Sequence, residues 1–90
     1  SRNDQVALDI RMYLKSEVDD LAENIAQLQK SILKLAKSSI QVIIPGYTHL
    51  QVAQPVLLSH YLLSYMEGLE RDKHRLLDAK KRIDAMPLGA

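Results

Sequence analysis

No proline or glycine interrupts the chain before Pro45. These are the two residues that most readily break a helix, so a long one is free to form. From Leu14 the apolar positions fall at Leu14, Val18, Leu21, Ile25, Leu28, Ile32 and Leu35, in alternating steps of four and three. That is a heptad seam. Val6 and Ile10 extend it upstream with a one-position shift. Ala22, Ala26, Leu33 and Ala36 form a second stripe of mostly small residues beside it. A helix apolar on more than one stripe packs against more than one neighbour. Asn3 and Asp4 suit the N-cap, so the pattern predicts a helix over residues 4–38. At 1.5 Å per residue it would be about 50 Å long, a length typical of coiled coils and extended bundles.

Ser38-Ser39 weakens that helix, and Ile40 to Ile44 is a short β-branched stretch. It reads as an irregular descent into a turn, with a short strand as the alternative. A polar loop is expected over residues 39–54. Pro45-Gly46 makes its tight turn, Tyr47, Thr48, His49, Gln51 and Gln54 carry its polar groups, and the apolar Leu50, Val52 and Ala53 space them. Pro55 suits the first helical position, where its missing donor does no harm, so a second helix is expected over residues 55–86. Its seam reads Leu58, Leu62, Tyr65, Leu69, Asp72, Leu76, Ala79, Ile83, Met86, and Pro87 and Gly89 end it. The expected fold is all-α: two long helices joined by one turn run antiparallel as a hairpin. Residues 1–90 form a single partial domain. One hairpin cannot bury so many apolar stripes, so further helices are expected from the rest of a longer chain, from other subunits, or from both. The start without Met and the stop on Leu88-Gly89-Ala90 read as a piece of something longer.

Composition excludes several classes. The 12 basic and 11 acidic residues nearly cancel, so nothing points to nucleic acid or a charged membrane surface. The apolar 47% contains no Phe and no Trp, which suits aliphatic helix packing. Without Cys there is no disulfide framework and no thiolate chemistry, which is compatible with the cytosol. No apolar run reaches the length of a membrane span, and no secretory leader is visible at the start. There is no phosphate-binding glycine loop, no metal-ligand spacing and no nucleophile–histidine signature.

The polar turn is the densest candidate for chemistry. His49 carries an imidazole suited to acid–base work near neutrality; its plain alternative is a hydrogen-bonded turn residue. Thr48 can donate to a carboxylate, or cap the local backbone. Gln51 and Gln54 can offer amides to an anion, or tie down the loop's main chain. Ser1, Arg2 and Asn3 form a second cluster. A hydroxyl, a guanidinium and an amide ahead of a helix N-terminus suit an anion, although helix capping explains Asn3 equally well. Asp72, between Arg71 and Arg75, reads as a register-fixing ion pair in a bundle. His60, His74, Tyr61 and Tyr65 read as structural.

Ser1-Arg2-Asn3-Asp4-Gln5, Pro45-Gly46-Tyr47-Thr48-His49-Leu50-Gln51-Val52-Ala53-Gln54-Pro55, Arg71-Asp72 and Pro87-Leu88-Gly89-Ala90 together resemble the argininosuccinate lyase branch of the fumarase and aspartase superfamily. The likeness covers essentially the whole chain but only about a fifth of a full enzyme. It implies a central-domain segment of a cytoplasmic homotetramer whose long helices pool into one bundle and whose active sites are shared between chains. The implied reaction is reversible β-elimination of argininosuccinate to arginine and fumarate, without cofactor or metal. By the same resemblance Ser1, Arg2, Asn3, Gln51 and Gln54 bind substrate, and Thr48 bonds the fumarate-forming end. His49 is an acid–base residue on the proton-donating side, or a group that polarises the site. The family's mobile-loop serine base is not in this chain, so the isolated piece is expected to be inactive. Two other classes fit the helices: a crystallin-like structural protein, and a helical oligomerisation module without catalysis.

Overall fold

The computed structural model describes residues 2–85, the side chains of Val52 and Ala53 excepted. In order along the chain come α1 (Arg2–Ser38), β1 (Ile43–Thr48), β2 (Gln51–Leu57) and α2 (Leu58–Asp84). The described residues are thus mostly helical, with one small antiparallel two-stranded sheet. The all-α expectation needs that correction: the segment expected as a polar loop is a β-hairpin. Of the stretch from Ile40 to Ile44, residues 40 and 41 form the irregular descent, and the β-branched Ile43 and Ile44, which favour extended backbone, open β1.

Pro55 does not open α2. It lies in β2 opposite Pro45. The Leu58 amide donates to the Val42 carbonyl at 2.8 Å. Antiparallel pairs alternate between bonded and non-bonded. Counting inward from that bond, the Pro45–Pro55 pair falls where neither residue needs to donate across the ladder. Proline is tolerated at such a position because both strands are edges. Met86 and the Pro87–Ala90 stop signals lie outside the described residues.

Two compact units make up the chain: Ser1–Ala26 with Arg71–Ala90, and Gln27–Glu70. In the first, Lys80 Nζ donates to Asp19 Oδ1 at 2.8 Å, and Lys15 Nζ meets Asp84 Oδ1 at 2.6 Å. Stepping four residues back on α1 matches stepping four forward on α2, so the helical segments run antiparallel. The less exposed positions here are Ala7, Arg11, Lys15, Val18, Ala22, Ile25 and Ala26 on α1 and Lys73, Leu76, Ala79, Lys80 and Ile83 on α2.

In the second unit the buried Gln29 donates from Nε2 to the Met66 carbonyl (3.3 Å) and to Glu70 Oε2 (2.9 Å). Ile32 and Ala36 continue its side of α1, with the buried Ser39 just past the helix end, and Ser59, Leu62, Met66 and Leu69 on α2. On α1 the buried seam is therefore rotated from the expected one, whereas on α2 the expected Leu58, Leu62, Leu69, Leu76, Ala79 and Ile83 are among the less exposed residues. The α1 seam takes Val18, Ile25 and Ile32 from the heptad reading and adds the alanines. Leu14 remains 38% exposed, and Leu21, Leu28 and Leu35 each 49% exposed. Small residues allow close helix approach, and the leucines are left on the outer flank. On α2 the expected seam members Tyr65 and Asp72 are likewise exposed.

α1 stops at Ser38, whose hydroxyl bonds the Leu35 carbonyl at 2.9 Å. Ser39 N bonds the Ala36 carbonyl, and Val42 N the Ser39 carbonyl, turning the chain into β1.

Candidate active site

Thr48 and Gln51 are paired across the end of the hairpin, leaving His49 and Leu50 as a two-residue loop. Both loop residues have positive φ, 52° and 65°. That is the signature of a type I′ turn, whose twist matches that of the flanking strands. The loop usually contains Asn and Gly because L-residues with side chains resist the left-handed region. Here it contains a histidine and a leucine, and Leu50 is 96% exposed.

Below the tip, Tyr47 pairs with Val52 but Gly46 pairs with Gln54. Ala53 is the extra residue of a β-bulge. In a regular strand, side chains alternate faces with period two, so Gln51 and Gln54, three apart, would point to opposite sides. The extra residue corrects the phase. Directly opposed residues share a face, as do residues two apart on one strand. Gly46 and Thr48 on β1 therefore share one face with Gln51 and Gln54 on β2. Gly46 has no room for a side chain there: a Cβ would stand 2.9 Å from the Gln54 carbonyl oxygen and 3.0 Å from Val56 Cγ2.

The hairpin thus gathers Thr48, Gln51 and Gln54 on one face and sets His49 at its end, all four exposed to solvent. The first unit holds Arg2, Asn3 and Asp72, and the second also holds His60, Tyr61 and Tyr65. Arg2 and Asn3 lie in the first turn of α1, which begins two residues before the expected start, and Ser1 lies outside the described residues. Asn3 is consequently a helical residue. Asp72 pairs with Arg75 three residues on, at 3.1 Å with both side chains exposed; the pair sits within one helix and does not lock two together. Tyr61 and Tyr65 meet edge to face, their hydroxyls 3.2 Å apart. The hydrogen bond to Tyr65, reinforced by that neighbour's charge, holds the Tyr61 hydroxyl above its ordinary pKa. His60 borders a shallow apolar groove with Lys37, Leu33, Ala36, Ile40, Ser59 and Leu63.

Among the described residues no group of three His, Asp or Glu side chains is placed to hold a metal ion, and no helix is long and apolar enough to cross a membrane. The arrangement offers a hydroxyl, an imidazole and two amides at one projecting end. Such groups can bind carboxylates and move a proton. Two contributors escaped the sequence reading, Leu50 and Ala53, both taken as apolar spacers. The signal for Ala53 was the three-residue interval between the glutamines, which a regular strand cannot place on one face.

The same chain is strongly similar to known proteins. A family model described as lyase matches residues 1–90. Three curated relatives named argininosuccinate lyase are from Desulforudis audaxviator, Syntrophus aciditrophicus and Pelotomaculum thermopropionicum. They are 58%, 54% and 56% identical over all 90 residues of this chain. The chain spans 20%, 19% and 20% of their respective lengths. With a family match from the first residue to the last, the chain belongs to the lyase family.

Proposed function

We propose that the chain is the hairpin-bearing segment of an argininosuccinate lyase, cleaving argininosuccinate reversibly to arginine and fumarate. The observation that carries this is identity above half, across every residue, to relatives bearing that name. The hairpin supports it by concentrating suitable polar groups at its tip. In the elimination a base takes a proton from the carbon beside a carboxylate, the carbon–nitrogen bond breaks, and the departing nitrogen gains a proton. Negative charge grows on that carboxylate, and fixed hydrogen-bond donors stabilise it most in the transition state.

In this reading Thr48 donates to the fumarate-forming end and His49 supplies or steers the proton. Gln51 and Gln54 offer amides from the same face as Thr48, while Ser1, Arg2 and Asn3 hold substrate carboxylates. The base comes from outside the 90 residues. The reaction as read draws on no cofactor or metal. The parent is read as a cytoplasmic homotetramer whose pooled helices cover the leucines left half exposed here, with each active site shared between chains.

The experiment is fumarate release from argininosuccinate by the full-length parent, wild type beside His49→Ala. Turnover by the wild type and its loss in a still-assembled variant support the reading. An assembled wild type without turnover sinks it and moves the assignment to a sister lyase or to a crystallin-like role. The 90-residue chain alone is expected to release no fumarate.

A further inference from the structure

The hairpin tip combines three features that a stability-optimised turn would avoid. Leu50 adopts φ 65°, where a bulky side chain crowds the backbone. Its neighbour His49 adopts φ 52°. The Leu50 side chain is 96% exposed, so packing within this hairpin does not offset the crowding. The ladder behind it is a two-stranded ribbon, which is marginal by itself. A turn of another type would relieve the crowding but would not match the strands' twist. It would also redirect the His49 side chain, because the Cα–Cβ direction at a loop residue follows φ and ψ.

We propose that Leu50 is a positioning residue for His49: its left-handed backbone holds the two-residue turn that aims the imidazole. This rests on the lyase reading above for what His49 does once aimed. The property that matters is the backbone conformation at Leu50 and not the leucine side chain.

The two demands separate by substitution in the full-length parent. Leu50→Asn removes the apolar side chain but accepts the left-handed region, whereas Leu50→Val keeps an apolar group but resists that region strongly. The expected result is that Leu50→Asn keeps kcat within about threefold of wild type. Leu50→Val should lower kcat by about tenfold to a hundredfold, the scale of a small misplacement of a reacting group, with KM little changed. Amide exchange followed by mass spectrometry over the peptide 43–57 should quicken in Leu50→Val and stay at the wild-type rate in Leu50→Asn. Equal losses of kcat in both variants overturn the proposal, since the side chain is then what counts; wild-type kcat in both overturns it as well. If Leu50→Val does not assemble, Leu50→Asn decides alone: retained kcat supports the proposal and lost kcat overturns it. An inactive wild type fails the lyase reading, and the exchange comparison still reports separately whether the left-handed backbone at Leu50 holds the turn.

Discussion

The carbonyl oxygen of Gln54 lies 2.9 Å from where a Cβ on Gly46 would stand. Real Cβ atoms do not approach backbone oxygen so closely, so at this point the strands fit together only around glycine. Gly46→Ala should open the hairpin at its bulge, at a cost of about 1–3 kcal/mol, the usual scale of overpacking. Faster amide exchange across residues 43–57, with the helices unaffected, is the expected readout. Unchanged exchange would mean that the bulge yields freely.

Gln29 is the amide of a buried seam, bonded to Met66 and Glu70. Gln29→Ala removes both bonds and leaves a void, and should lower stability by about 2 kcal/mol. Gln29→Leu fills the space and lets the exposed Glu70 carboxylate turn to water, so it should stay within about 1 kcal/mol of wild type. Denaturant titrations of the two variants beside wild type test the contrast.

The first unit should be stable on a pH plateau with two edges. Lys15 bonds Asp84 and, with further help from Lys80 and Arg11, holds its carboxyl below the usual range. A depressed carboxyl stabilises the fold above its unfolded value, about 4, and that contribution is lost as pH falls through the depressed value. Asp19 bonds Lys80 and holds its ammonium above the usual range, with Asp84 adding a smaller push. A raised ammonium contributes fully below its unfolded value, about 10.4, and the contribution is lost as pH rises through the raised one. Both pairs are solvent-exposed, so the two edges should be shallow and should flatten in salt. Thermal melts across pH should show the acidic edge diminished in Asp84→Asn and the alkaline edge only slightly reduced, because Asp19 still bonds Lys80.

The tyrosine pair makes a spectroscopic prediction. Tyr61 is held above its ordinary pKa first by the Tyr65 hydroxyl. Tyr65→Phe removes both that bond and the neighbouring charge. An ultraviolet titration should therefore show Tyr61 ionising earlier, nearer the ordinary value of about 10. No downward movement would show that the hydroxyls do not meet in solution.

Leu21 and Leu28, each 49% exposed, should make the 90-residue chain self-associate. Sedimentation equilibrium is expected to give a mass above the 10.2 kDa of one chain. Leu21→Lys with Leu28→Lys should bring it back to the monomer. A monomeric wild type would show that these leucines do not associate among copies of this chain.

The helices were legible because a run without Pro or Gly and a four–three rhythm have one main physical solution. Which stripe would be buried was less legible. Leu21 and Ala22 are both apolar, and hydropathy ranks the leucine first, but helix approach favours the alanine. The hairpin was obscured by Pro55, whose fixed φ fits a helix's first turn and an edge strand alike; only the partner strand decides between them. His49, Thr48, Gln51 and Gln54 were found from residue type and resemblance. Their common location was not, because it depends on a turn at His49-Leu50 without the usual Asn or Gly, and on the phase shift at Ala53.

That phase shift can be separated from the kink it brings. Deleting Ala53 would leave Thr48 with Gln51, Tyr47 with Val52 and Gly46 with Gln54, the partners they already have. What would go is the local bend and added twist that an extra residue introduces. Ala53 is therefore an angular wedge: without it the hairpin would carry the same groups on the same face but point them along a straighter line. A shortened strand of this kind would measure how much of the site's performance depends on aim alone, with its chemical inventory untouched.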